Sequence, residues 1–154
     1  MREQSQPVVT EQELRALIAA ISVEPVTALS SLAAYAKKLV AREMIDRLLA
    51  DRAVIYAALS APEPKARKNA ARLLGALEQP RDTDALITAL QTETTRFVIP
   101  SILLALGAIA NQKAGAAIAA YVPPTAADET EIKHVTDIQE AHAKALAALT
   151  RDVP

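Results

Sequence analysis

Two histidines, His134 and His142, and the carboxylates around them are the first residues whose types could do chemistry. They stand eight apart, whereas two ligands on one helix face stand four apart. Glu131, Asp137 and Glu140 could complete a carboxylate-rich metal site. The plainer reading is an exposed acidic loop and helix start, and we adopt it. Glu131 and Asp137 do not fall on one regular helix, so they make a poor acid and base pair. Cysteine is absent, which removes thiolate nucleophiles, zinc thiolates and disulfides. The 3 glycines form neither a phosphate-cradling loop nor a dinucleotide fingerprint, and no Gly-x-Ser-x-Gly turn occurs. The expectation is a chain with no catalytic residue, no cofactor and no metal.

Cations are the second chemistry. Lys65, Lys68 and Arg72 recur at i, i+3 and i+7, on one helix face opposite Leu73 and Leu77, with Arg67 beside them. Lys37, Lys38, Arg42, Arg47 and Arg52 precede them. Residues 37–72 hold nine Lys/Arg against four Asp/Glu, a local +5, although the chain as a whole is at −1. Residues 122–154 hold three against six, a local −3. The basic segment reads either as a phosphate-contacting stripe or as an ordinary solvated helix face. No aromatics interleave with the cations, so a nucleic acid would be held by its backbone rather than by stacked bases.

The elements that must carry these residues are helical. Alanine and leucine dominate, aromatics are 3%, and 51% of the 154 residues are hydrophobic, enough for one core. Thr10 and Glu13 make a capping box ahead of "ELRALIAAI", and Pro25 interrupts. "VTALSSLAAYAKKLV" and "REMIDRLLADRAVIYAAL" follow, with a break expected at 40–42 and the second helix continuing to Leu59. "SAPEPK" ends that region, and Pro64 suits a first helical turn. Later helices are expected in "ARKNAARLLGAL", which "EQPRD" stops, then "TDALITAL", "TETTRFVIPSILLALGAI" to about Asn111, and "KAGAAIAAYV". If the third of these starts at Thr95, Pro100 lies beyond its first turn and bends it. Asp137 and Glu140 read as the start of the last helix, 137–150.

Residues 66–77, 98–109 and 138–149 align on one another. Gly75 falls on Gly107 at an offset of 32 residues, and Ala147 takes the third place. Two helices per period of that length mark an α-solenoid. The glycines admit two readings: close approach of the paired helix, or a helix C-cap.

At "PKARKNAARLLGAL…DTDALITAL" and "TTRFVIPSILLALGAI" the chain resembles HEAT repeats, over 62–122. The resemblance implies an all-α fold, a short right-handed α-solenoid of antiparallel helix pairs, here one domain over 1–154 with N-terminal helices over 10–59. It implies a scaffold or adaptor for a macromolecular partner, protein first, with second helices lining an inner face at Asp84, Thr88, Gln91 and Lys113. A narrower stretch, "KNAARLLGAL", "ETTRFVIPSILLALGAI" and "DETEIKHVTDIQEAHAKALAAL", is similar to the helical N-terminal region of certain bacterial RNA methylases. In that family a separate domain binds S-adenosylmethionine. The alternative it implies is an accessory RNA-positioning domain, with no catalytic residue carried by this chain. Phosphate or partner contacts would then fall on Lys65, Arg67, Lys68, Arg72, Lys37, Lys38 and Arg42. No signal core and no apolar run of transmembrane length occur, so a cytoplasmic protein without membrane contact is expected.

Overall fold

A computed structural model describes residues 9–150. Those residues form nine α-helices and three 3₁₀ turns, with no strand among them. The architecture is all-α.

The first helix, α1 (Glu11–Ala20), begins as its capping box requires: Thr10 Oγ1 accepts from the Glu13 amide, and Glu13 accepts from the Thr10 amide at 2.8 Å. Pro25 does more than interrupt, since it opens α2 (Pro25–Ala36) at a position that needs no amide hydrogen. The expected break at 40–42 comes earlier, at Lys37 and Lys38, and α3 (Leu39–Leu48) follows. The single helix expected to run on to Leu59 is in fact two. It stops at Leu49 and resumes as α4 (Ala53–Leu59). The cause is Arg52, whose buried guanidinium donates to the Leu49 carbonyl at 3.2 Å and so satisfies a helix end at the break.

Pro64 opens α5 (Pro64–Leu77), and a 3₁₀ turn (Pro80–Asp82) leads into α6 (Thr83–Thr92). A second 3₁₀ turn (Arg96–Val98) precedes α7 (Ile99–Ile109). Helix α7 therefore starts four residues later than Thr95. Pro100 lands in its first turn, where a missing amide breaks no helical bond, so the expected mid-helix bend does not arise. Asn111 is not the end of α7 but the N-cap of α8 (Gln112–Ala120), its side chain accepting from the Ala114 amide at 2.8 Å. The last helix, α9 (Ile132–Leu149), begins five residues before Asp137. Asp137 is interior to it and pairs with Lys133 one turn back, so it caps nothing.

Helices α2, α5, α7 and α9 pack in succession, each against the next, as one row. Helix α4 packs on α5, α6 on α7, and α8 on both α7 and α9. The core lies between the row and these flanking helices, with Leu29, Leu32, Leu73, Leu74, Leu86, Ile102, Leu103 and Leu106 fully buried. Burying a leucine side chain is worth roughly 1.5–3 kcal/mol, so this leucine-rich seam carries much of the stability.

The glycines set the spacing of the row. A Cβ on Gly75 would stand 2.9 Å from Ala105 Cα, and a Cβ on Gly107 would stand 2.9 Å from Ala145 Cα. Each glycine thus admits the backbone of the next helix in the row: α7 for Gly75, α9 for Gly107. Close packing is the correct reading, but the partner is that neighbouring helix, not the paired one. The C-cap reading fails, because α5 and α7 run past their glycines. Their left-handed caps are Glu78 (φ 55°) and Ala110 (φ 56°), neither of which is glycine. Ala147, the third member of the alignment, is exposed on α9, and among the described residues no later helix packs against it.

Candidate functional site

Charged side chains fall into three groups that sequence spacing could not tell apart. The first is structural. Arg52 Nε and Nη2 reach the two carboxylate oxygens of Asp82 at 3.1 and 3.3 Å, and Nη2 donates to Asp46 at 2.6 Å. The Tyr56 hydroxyl donates to Asp82 at 2.6 Å, and Arg81 also pairs with Asp46. Arg52 and Asp82 retain 5% and 0% side-chain exposure, so each charge depends on the other for its solvation. Burial acts to raise the Asp46 carboxyl pKa, but the hydrogen bonds from Arg52 and Arg81 outweigh it and leave the group below the ordinary value. Burial, and then the hydrogen bond to Asp82, push the Tyr56 phenol up to about 12. The cluster ties the α3–α4 break to the turn before α6. Arg52 is therefore a buried strut and cannot serve a partner.

Arg67 forms the second group. Its Nε and Nη2 clamp Glu93 at 2.9 and 3.0 Å, Nη2 reaches Thr95 Oγ1, and Nη1 caps the carbonyls of Ala61 and Pro62. The fork is filled on every side, with Glu93 only 4% exposed. Arg67 sits one residue from Lys68 but turns toward the α6–α7 connection, where Glu93 and Thr95 hold it. Arg42 pairs with Glu78 at 3.4 Å and Arg47 with Glu11 at 3.1 Å, so neither is an unpaired cation.

The third group has no acidic partner among the described residues. Of the nine cations in 37–72, the five that make no ion pair with a described residue are Lys37, Lys38, Lys65, Lys68 and Arg72. Lys37, Lys68 and Arg72 line one groove on the outer side of the row, where the end of α2 meets α5 and α7. Its floor is made of small residues, Ala71 and Gly75 from α5, Ala105 and Ala108 from α7. Leu104, 43% exposed, and Ser101 stand on the α7 side. The groove encloses ≈ 410 Å³. Its shape follows from the same glycine contact that sets the helix spacing: two helices meet here without large side chains to fill the seam. Lys65 and Lys38 are exposed but do not line the groove.

On the α6 and α8 side, Asp84, Thr88, Gln91 and Lys113 are all exposed. Lys113 Nζ pairs with Asp84 at 3.0 Å, which leaves that face close to neutral. Gln91 borders a second, mainly apolar hollow with Ile87, Leu90, Ala117 and Tyr121. The histidines and carboxylates of the C-terminal segment do not converge: among the described residues no three side chains of metal-binding type come together. His134 is exposed, while His142 Nε2 lies 2.9 Å from the Ile118 carbonyl oxygen and its ring leans on Tyr121. No helix of the described residues is long and apolar enough to cross a membrane.

The residues that sequence reasoning missed are Asp46, Tyr56, Asp82 and Glu93, which decide which arginines are occupied, and Leu104 and Ser101, which complete the groove. A buried acid paired over 26 to 30 residues leaves no local spacing to detect. Leu104 could have been found, since it follows the apolar Ile102 and Leu103 onto the solvent side of the helical period. Compared with protein-family models, curated proteins and solved structures, the chain matches none.

Proposed function

We propose that this chain is a non-catalytic binding module, a short right-handed HEAT-like solenoid of antiparallel helix pairs, that holds a macromolecular partner on the outer side of its first-helix row. One observation carries the reading. Of the nine cations of the basic segment, Arg42, Arg47, Arg52 and Arg67 pair with acids of this chain, and three of the five that pair with none among the described residues, Lys37, Lys68 and Arg72, gather around a single groove. Unpaired charges held together repel one another, a cost that an anionic partner removes. The surface expected at the inner face is the weaker candidate, because Asp84 and Lys113 neutralise each other there.

A protein partner is the first reading. The accessory RNA-positioning domain is the second, and the line of Lys65, Lys68 and Arg72 along α5 favours it, one cation per turn or two. Both place negative charge on the same cations, so one experiment tests what they share. The chain, with its net charge of −1, should be retained on immobilised heparin at neutral pH and low salt and released by moderate salt. The triple variant Lys37→Ser, Lys68→Ser, Arg72→Ser should pass through unretained. Passage of the unmutated chain at low salt would reject the basic face as a binding surface.

A further inference from the structure

We infer that the groove between α5 and α7 takes a short acidic protein segment carrying one aliphatic side chain, a deepening of the binding-module reading on which it rests. The composition of the groove is the argument. Its rim is cationic and its floor is apolar, so a ligand must offer both charge and hydrocarbon to use all of it. Lys37, just past the end of α2, and Lys68 and Arg72 on α5 supply three separately rooted cations, suited to carboxylates that are spaced along a chain. Between them, Ala71, Gly75, Ala105 and Ala108 give a floor of small residues, and Leu104 offers an apolar wall.

A nucleic-acid backbone would use only the rim. Phosphates and ribose gain nothing from an alanine and leucine floor, and the groove has no aromatic lining on which a base could stack. Leaving Leu104 and the floor covered by a polar backbone would desolvate ligand groups without returning hydrogen bonds. A leucine, valine or isoleucine side chain set among carboxylates matches both halves of the surface. The four-carbon lysine stems can lie along that side chain while their ammonium groups reach the flanking acids.

The test uses the full chain and a fluorescein-labelled seven-residue peptide: a central leucine with three acidic residues on each side. Fluorescence anisotropy should show saturable binding at low salt that weakens as salt rises. Replacing the peptide's leucine with serine should weaken binding about tenfold, the loss of part of one buried aliphatic side chain. The double variant K68E/R72E should lose binding of both peptides by more than about tenfold, because two attractions become repulsions. Leu104→Ser should weaken the leucine peptide toward the serine peptide and leave the serine peptide unchanged, a pattern that misfolding would not produce. Three results would overturn the inference: no saturable binding at low salt, equal affinity for the two peptides, or a single-stranded RNA of equal charge binding more tightly than the leucine peptide. If heparin retention holds while any of these occurs, the acidic-segment inference fails and the basic-face reading stands.

Discussion

Adding a methyl group at each of the three glycines should move stability in opposite directions, and the structure says which way. In the middle of a helix, Gly→Ala gains about 0.8–1 kcal/mol from lost backbone entropy in the unfolded chain. At Gly115, in α8, the new Cβ would meet only the Leu149 methyls at 3.5 and 3.6 Å, ordinary contact. Gly115→Ala should therefore stabilise by about 0.5–1 kcal/mol. At Gly75 the Cβ would stand 2.9 Å from Ala105 Cα and 3.0 Å from its Cβ, and at Gly107 2.9 Å from Ala145 Cα. Those are backbone neighbours that can yield only if a whole helix shifts. Overpacking of this kind costs roughly 1–3 kcal/mol. Set against the propensity gain, the net at either site is a destabilisation of about 1 kcal/mol, or about 2–4 °C in Tm for a chain of this size. Gly107→Leu, with more volume to place, should lie at the upper end of the overpacking range. The assay is thermal unfolding followed by far-ultraviolet circular dichroism, all variants in one buffer. If Gly75→Ala and Gly107→Ala raise Tm as Gly115→Ala does, the glycines do not set the helix spacing and the account of the row is wrong.

Other perturbations follow from the polar clusters and caps. Asp82→Ala should cost about 3–5 kcal/mol in urea unfolding, since it leaves the Arg52 charge buried at 6% exposure without its main partner. A loss below about 1 kcal/mol would mean that water reaches Arg52. Ala110→Gly should raise the urea midpoint by the equivalent of about 0.5–1 kcal/mol, because φ 56° is unfavourable for alanine and free for glycine. Folding holds the Asp46 pKa below its ordinary value, so its stabilisation is present above the unfolded pKa of about 3.9 and is lost as pH falls through the folded one. Asp46→Asn should flatten the acid limb of stability against pH. Tyr56 behaves in the opposite sense: its folded pKa of about 12 is raised from 10.0, so stability present below 10.0 declines as pH rises toward 12. Tyr56→Phe should remove that alkaline decline in urea midpoint, and a decline that persists would assign it elsewhere.

Helical class was legible because it rests on local chemistry. The Thr10–Glu13 box, Pro64 in a first turn and the proline-rich stops each act within a few residues, and each stands where its type demands. The equivalence of Gly75 and Gly107 was legible from their spacing and leading leucines, and both indeed face an alanine backbone at the same distance. What escaped was set at long range. The α3–α4 break has no glycine or proline; Asp51 accepts from the Ala53 amide locally, while the Arg52 side chain that satisfies the Leu49 carbonyl is held by Asp82 thirty residues away. Asp137 and Glu140 imitate a cap inside α9, while the entry actually used is a 3₁₀ turn (Glu129–Glu131) whose preceding Asp128 accepts from the Thr130 amide. For the candidate site, the face of Lys68 and Arg72 could be read from periodicity. Which arginines were occupied could not, because Arg67 and Arg72 are alike in sequence and differ only in the distant Glu93.

The central claim is that the partner lies on the first-helix row and not on the α6–α8 side. Backbone amide chemical-shift mapping during titration with the leucine-centred acidic peptide tests it most directly. The account predicts the largest shifts at Lys68, Arg72, Gly75, Ser101, Leu104 and Ala105, with Lys37 following and little change at Asp84, Thr88, Gln91 and Lys113. Shifts centred on those last four residues, with the α5–α7 groove silent, would contradict it.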